Sequence, residues 1–214
     1  NWLFWTLLGV GTTLYLTFGT GKSLILPVLA VIGGVVIPIW YSWAKFNYTH
    51  ELSLGIGVGP LAVLVGMYGV NSSPPWIMGL LVGAPFAIIL SFAGLALDEW
   101  TDAEQNLKKG VRSLAYRLWN TNVGLFSYMM AWILFMYLYQ GFMVFIGVLK
   151  PMTFLTMLVF PFLTGSIMLC QEYDKDVDSK TLNLNTGFEK YAHWVVIWAA
   201  LYPILLLVGQ VVGK

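Results

Sequence analysis

Apolar runs of about twenty residues recur along this chain, separated by short polar or turn-forming breaks, and that repetition restricts the fold to helices crossing a bilayer. In hydrocarbon every backbone N–H and C=O must be satisfied within the segment, which a helix does and an isolated strand does not. A mean hydropathy of +0.77, with 58% hydrophobic and only 10% charged residues, excludes a soluble enzyme. Hydropathy and turn signals mark seven spans: Trp2 to Phe18, Leu24 to Trp43, Leu52 to Val70, Trp76 to Leu97, Val123 to Phe145, Met152 to Cys170 and Tyr191 to Val212. No internal repeat or low-complexity tract appears, and every loop is too short for a soluble domain. The expectation is an all-α polytopic transmembrane bundle forming a single domain over 1–214. The chain enters its first apolar run at Asn1 without a basic n-region, so it reads as the continuation of a longer protein. Cys170, the single cysteine, cannot form an internal disulfide and is expected to pack as a small apolar residue.

Because consecutive spans alternate in direction, each loop falls on one side, and the charges test that assignment. Lys45, Lys108, Lys109, Arg112, Arg117, Lys175, Lys180 and Lys190 collect on one side, against Lys22, Lys150 and Lys214 on the other. Eight against three places the first side in the cytoplasm, and the protein in the cell membrane. All ten acidic residues lie on that same side. Carboxylates contribute little to topology, so their confinement suggests a face that handles a metal-bound ligand.

The densest polar stretch follows the fourth span. Asp98, Asp102 and Asn106 are spaced i, i+4, i+8, which on a helix stacks three oxygen-bearing side chains on one face. Carboxylates so placed can share a hard divalent cation, and Lys108, Lys109 and Arg112 just after them can hold an anion. A charged segment at a helix end is also what a solvated terminus looks like, and composition alone favours that reading.

The order of residues favours chemistry. LDEWTDAEQNLKKGVRSLAYRL, from Leu97 to Leu118, resembles the second aspartate motif of the UbiA-type intramembrane prenyltransferases, approximately N-x-x-x-D-x-x-x-D, three residues, then G-K-x-T-L-A-V-R-L. Anchored on Gly110, Ser113, Leu114, Ala115, Arg117 and Leu118, the family's first aspartate falls on Asp102, its second on Asn106 and its leading asparagine on Asp98. HELSLGIGVGPLAVLVGMYGV, from His50 to Val70, is similar to the family's G-E-L-x-V-x-x-x-x-G-P-L segment, with Glu51, Gly59, Pro60, Leu61, Val63, Leu64 and Tyr68 at matching positions. Tyr41 and Ser42 stand where the family closes the preceding helix with Tyr-Thr or Tyr-Ser. The Gly-Pro-Leu segment is most like that of the dihydroxynaphthoate polyprenyltransferases of menaquinone synthesis.

The resemblance implies a nine-helix fold, of which the seven spans here correspond to the third through ninth, with the first aspartate motif expected upstream. It implies transfer of an isoprenoid chain from a polyprenyl diphosphate to an aromatic acceptor, with Mg2+ held by Asp102 and Asp98 and by Asn106 at the third position. Lys108, Lys109 and Arg112 would pair with diphosphate oxygens, and Glu51 and Tyr41 would line the substrate site. Two departures bear on activity: Asn106 replaces a carboxylate, offset by Asp98 where the family has asparagine, and the first aspartate motif, which would hold half of the metal site, is absent from these residues. The alternative is a catalytically silent member that holds lipid, quinone or pigment as an accessory subunit of a larger membrane complex. A seven-span transporter or receptor is a third class, which the Gly59-Pro60 and Gly110-to-Leu118 matches argue against.

The remaining features receive plainer readings. Asp174, Asp176 and Asp178 alternate as in an EF-hand, but Ser179 replaces the turn glycine and Asn185 the bidentate glutamate, so a solvated loop is expected. Glu51 could equally cap the helix that starts near Leu52. His50 is expected as a loop residue forming a surface pair with Glu51, with general-base assistance as the sharper reading. His193 and the tryptophans near span ends are expected at the interface. Gly55, Gly57, Gly59, Gly66, Gly69, Gly79 and Gly83 are expected at close helix contacts, and Pro27, Pro38, Pro60, Pro85 and Pro161 to bend their spans. The few basic residues, interleaved with acids at a membrane boundary, exclude a nucleic-acid partner.

Overall fold

The structure is a computed structural model that describes residues 2–118, 121, 123–175 and 184–212; within these, the side chains of 2, 3, 5, 97, 98, 101, 102, 104, 115 and 184–192 lie outside the description. Among the described residues the regular structure is entirely helical. Its elements are α1 (Trp2–Thr20), α2 (Ile25–Ala44), α3 (His50–Val70), α4 (Trp76–Ala96), α5 (Gly94–Lys108, sharing its first turn with the end of α4), the short α6 (Leu114–Leu118), α7 (Leu125–Phe145), α8 (Pro151–Lys175) and α9 (Leu184–Val212). Six helices are long and apolar enough to cross a membrane: α2, α3, α4, α7, α8 and the His193–Val212 part of α9. The first expected span is α1, a helix of 19 residues. The exteriors of these helices carry large apolar side chains, Phe18, Val70 and Phe145 among the most exposed at 76%, 81% and 86%. A water-soluble protein rarely presents such surface, whereas lipid covers it at no cost. The chain is an integral membrane protein.

The helices gather in two compact units, Asn1–Phe92 with Asn106–Arg117, and Ala93–Gln105 with Leu118–Lys214. In the first, α3 and α4 meet backbone to backbone. A Cβ added at Gly83 would lie 2.5 Å from the nitrogen of Pro60, and one added at Gly59 would collide with the carbonyl oxygen of Gly83. Gly79 is similarly covered by Leu64 and Met67. Helix association in lipid depends on such close packing, because apolar burial alone offers little when the solvent is itself apolar. Gly66 and Gly69, expected at contacts, meet nothing within 4 Å.

Proline sets the winding. π-helical turns occupy Ile32–Val36 just before Pro38, Gly57–Leu61 around Pro60, and Ala87–Ala93 just after Pro85. A proline ring removes one N–H and crowds the preceding turn, and the wider π winding before Pro38 and around Pro60 makes room for it; the π stretch after Pro85 lies on the other side of its proline and has no such account. Carbonyls loosened this way need new donors in lipid. Thr6 on α1 supplies one, its hydroxyl donating to the carbonyl of Gly34 at 3.1 Å.

In the second unit, α8 winds as a 3-10 helix over Pro151–Leu163 and becomes α-helical at Thr164. Three residues per turn align Thr153, Thr156 and Val159 on one buried face. There Gln140 of α7 donates to the Thr153 carbonyl at 2.8 Å and to the Thr156 hydroxyl at 2.9 Å, while its oxygen accepts from Tyr202 of α9 at 3.0 Å. Gly209 of α9 lies directly on the backbone of Met152 and Thr153. Cys170 is fully buried, as expected of a small apolar residue.

Asp174 corrects the solvated-loop expectation for its part of the acidic cluster. It belongs to the last turn of α8, and its carboxylate accepts the backbone N–H groups of Leu125 and Phe126 at 2.8 and 2.9 Å. Both oxygens therefore cap the start of α7, whose unpaired N–H groups and positive dipole end favour a carboxylate. Asp176, Asp178, Ser179 and Lys180 lie outside the described residues.

Candidate functional site

The polar end of the first unit is built by the turn that follows α2, the first turn of α3 and the segment that follows α5. That last segment, the glycine-to-arginine part of the motif, is a helix stop followed by a helix start. At its beginning the N–H of Val111 bonds the carbonyl of Asn106 at 2.9 Å and that of Gly110 the carbonyl of Leu107 at 3.0 Å. With Gly110 at φ +80° this is a Schellman motif, which needs the left-handed conformation that glycine adopts without strain. Three residues later the hydroxyl of Ser113 accepts the N–H of Tyr116 at 3.0 Å, the N-cap bond of α6.

Glu51 reaches this start from α3. It is 2% exposed, and its Oε1 accepts the N–H of Leu114. Its own carbonyl accepts the hydroxyl of the buried Ser91. The carboxylate thus lies in the first turn of α3 and at the first residue of α6, where both helix dipoles favour negative charge. The expected cap was of α3, whose first turn carries Glu51; the backbone N–H that the carboxylate accepts is instead that of α6.

His50 departs from the expected surface pair. It opens α3 with 2% exposure, its Nδ1 stands 4.0 Å from Glu51 Oε2, and its ring meets Tyr41 edge-on with centroids 5.0 Å apart. Tyr41 also receives Lys45, whose ammonium lies 4.9 Å from the ring centre. The Arg112 N–H donates to the carbonyl of Lys45, tying the segment after α5 to the turn after α2.

Among the remaining expected site residues, Asn106 donates from its amide nitrogen to the Tyr116 hydroxyl at 2.7 Å. Lys108, Lys109 and Arg112 are exposed. Asp98 and Asp102 sit on α5, whose helical winding keeps their four-residue spacing on one helix face, but their side chains lie outside the described residues. Tyr41, Glu51, Asn106 and Arg112 are thus gathered in one unit. Sequence reasoning did not select Tyr48, Ser91, Arg117 or Tyr116 as site residues; of these, Arg117 carried a signal as an anchor of the motif match and Tyr48 through its place in an aromatic-basic turn.

A lateral crevice of about 520 Å³ opens on α1, α2 and α3 in the same unit, lined mainly by small or apolar residues including Gly33, Gly34, Pro38, Gly57 and Leu61. Both α2 and α3 carry a π turn at this crevice. Its lining suits an alkyl chain rather than a polar group.

No family model, no curated protein and no solved structure matches this chain.

Proposed function

We propose that this protein transfers an isoprenoid chain from a polyprenyl diphosphate to an aromatic acceptor of the quinone-precursor type, at the cytoplasmic side of the cell membrane. The observation that carries this reading is the bond between Glu51 and the Leu114 N–H, which joins two of the separate stretches where the sequence resembles UbiA-type enzymes. Tyr41, from the third such stretch, contacts His50 beside it. Stretches that matched independently along the chain meet at one place.

The donor set suits magnesium. Asp98 and Asp102 offer hard oxygen atoms four residues apart on a continuous helix, the chemistry Mg2+ prefers, with few protein carboxylates and the remaining ligands from phosphate and water. When bound there, the ion neutralises charge on the departing pyrophosphate. Lys108, Lys109 and Arg112 hold diphosphate oxygens, the guanidinium in bidentate fashion and the lysines as point charges. The allylic C–O bond breaks with its electron pair going to pyrophosphate; the acceptor ring carbon bonds the allylic carbon, and the displaced ring proton leaves on the pyrophosphate. Glu51 serves this chemistry as a positioning residue, fixing the segment that carries Arg112. The lateral crevice can take part of the isoprenoid tail within the membrane.

The test supplies the intact protein with a polyprenyl diphosphate and a dihydroxynaphthoate acceptor. Pyrophosphate release that needs both substrates and Mg2+ supports the reading; none under any such condition overturns it. A second reading, an accessory subunit that holds lipid, quinone or pigment, draws on Asn106, a neutral amide at a carboxylate position whose nitrogen is engaged by Tyr116. Copurification with a stable membrane complex and no turnover would favour it.

A further inference from the structure

Tyr48 is the one described residue other than glycine with a left-handed backbone, at φ +56°. An aromatic residue is disfavoured there, and such conformations persist where the surroundings enforce them. Its ring, in the turn between α2 and α3, is approached by two guanidiniums: that of Arg117 with its carbon 5.0 Å from the ring centre and that of Arg112 at 5.7 Å. Tyr48 is 42% exposed and both arginines are exposed, so the group faces the aqueous boundary.

Two like charges do not gather without a reason. Each guanidinium gains from the negative face of the ring, and neither forms an ion pair with a carboxylate among the described residues. A π face attracts a cation without cancelling its charge, and it leaves the N–H edge of the guanidinium available. The backbone holds the same arrangement from below. Arg112 is tied through its N–H to Lys45, three residues before Tyr48, and Arg117 is carried by α6, whose start is fixed by Ser113 and Glu51. Two forked donors are thus brought to one ring, and forked guanidinium donors are the chemistry that recognises a phosphate group.

We propose that Tyr48 is a positioning residue for a phosphate site formed by Arg112 and Arg117. The ligand is a phosphate-bearing group, whose source is either the diphosphate of a prenyl donor or the headgroup of an anionic lipid. The first source rests on the function proposed above; the site itself does not.

The test measures binding of inorganic pyrophosphate to the purified intact protein, and of phosphatidic acid in nanodiscs, for the native protein, Tyr48→Phe, Tyr48→Gly and Arg117→Gln. Tyr48→Gly removes the ring while suiting the left-handed backbone, so it separates the platform from the fold; its thermal midpoint should match the native one. Expected is binding within twofold of native for Tyr48→Phe and about tenfold weaker for both Tyr48→Gly and Arg117→Gln, the probe affected identifying the source. Native binding of neither probe, or equal binding by native protein and Tyr48→Gly, would overturn the site. Pyrophosphate binding lost in Tyr48→Gly, in a protein that shows no prenyl transfer, would sink the transferase reading and leave the phosphate site standing.

Discussion

Glu51 accepts a hydrogen bond from the backbone N–H of Leu114, 63 residues further along the chain. A buried carboxylate at the membrane boundary is thereby spent on holding a loop in place, and the loop carries the basic residues assigned to the diphosphate.

Replacing Glu51 with alanine removes the acceptor and leaves that N–H and its helix start uncapped. A charge-assisted bond of this kind contributes about 2 kcal/mol. Loss of the latch should speed tryptic cleavage at Lys108, Lys109, Arg112 and Arg117 relative to cleavage elsewhere. Glu51→Gln, which keeps an oxygen acceptor, should fall between. Unchanged cleavage at these sites in Glu51→Ala would show that the loop is held by other contacts.

The α3 and α4 backbones leave no room for a side chain at Gly83, since its Cβ would lie 2.5 Å from Pro60 N. Gly83→Val should lower stability by about 3 kcal/mol or prevent folding, as overpacking does. Gly66→Ala, where no atom lies within 4 Å, should be neutral or slightly stabilising because it reduces backbone freedom in the unfolded state. Thermal unfolding in detergent separates the two.

Gln140 ties α7 to α8 and α9 through Thr153, Thr156 and Tyr202. Gln140→Leu keeps the volume but leaves those partners without their amide, costing about 1 to 2 kcal/mol. Tyr202→Phe removes a single bond of the set and should cost less. Equal thermal midpoints for all three proteins would mean the network adds nothing to stability.

At the start of α7, Asp174→Ala removes the acceptor for two backbone N–H groups. A stability loss of about 1 kcal/mol follows from the lost cap. Asp174→Asn should recover part of it through one remaining oxygen. The same variants should leave calcium without effect on the melting temperature; a calcium-dependent rise in the native protein, lost in Asp174→Ala, would restore the metal-loop reading.

The spans were legible because hydropathy is a local property that accumulates over twenty or so residues. Observed helix ends fall within a few residues of the expected ones for α1 to α4 and α7, while α8 runs on to Lys175 and α9 starts at Leu184, where polar termini carry no hydropathic signal. Prolines announced irregular winding, but not that it would take the π form. The clustering at Glu51 was visible only as separate motif matches, since nothing local in Glu51 specifies a partner 63 residues away. Asp174 was misread for the same reason: its alternating neighbours suggested a loop, whereas its carboxylate answers the start of a different helix. Gly83 and Gly66 look alike in sequence, and only packing distinguishes them.

The most direct measurement compares prenylated-acceptor formation by the intact native protein and by Asp102→Ala, with magnesium and both substrates saturating. The account predicts product from the native protein and a drop of at least about a hundredfold in the variant, the scale expected when charge stabilisation of a leaving group is lost. Equal rates in the two proteins would contradict it.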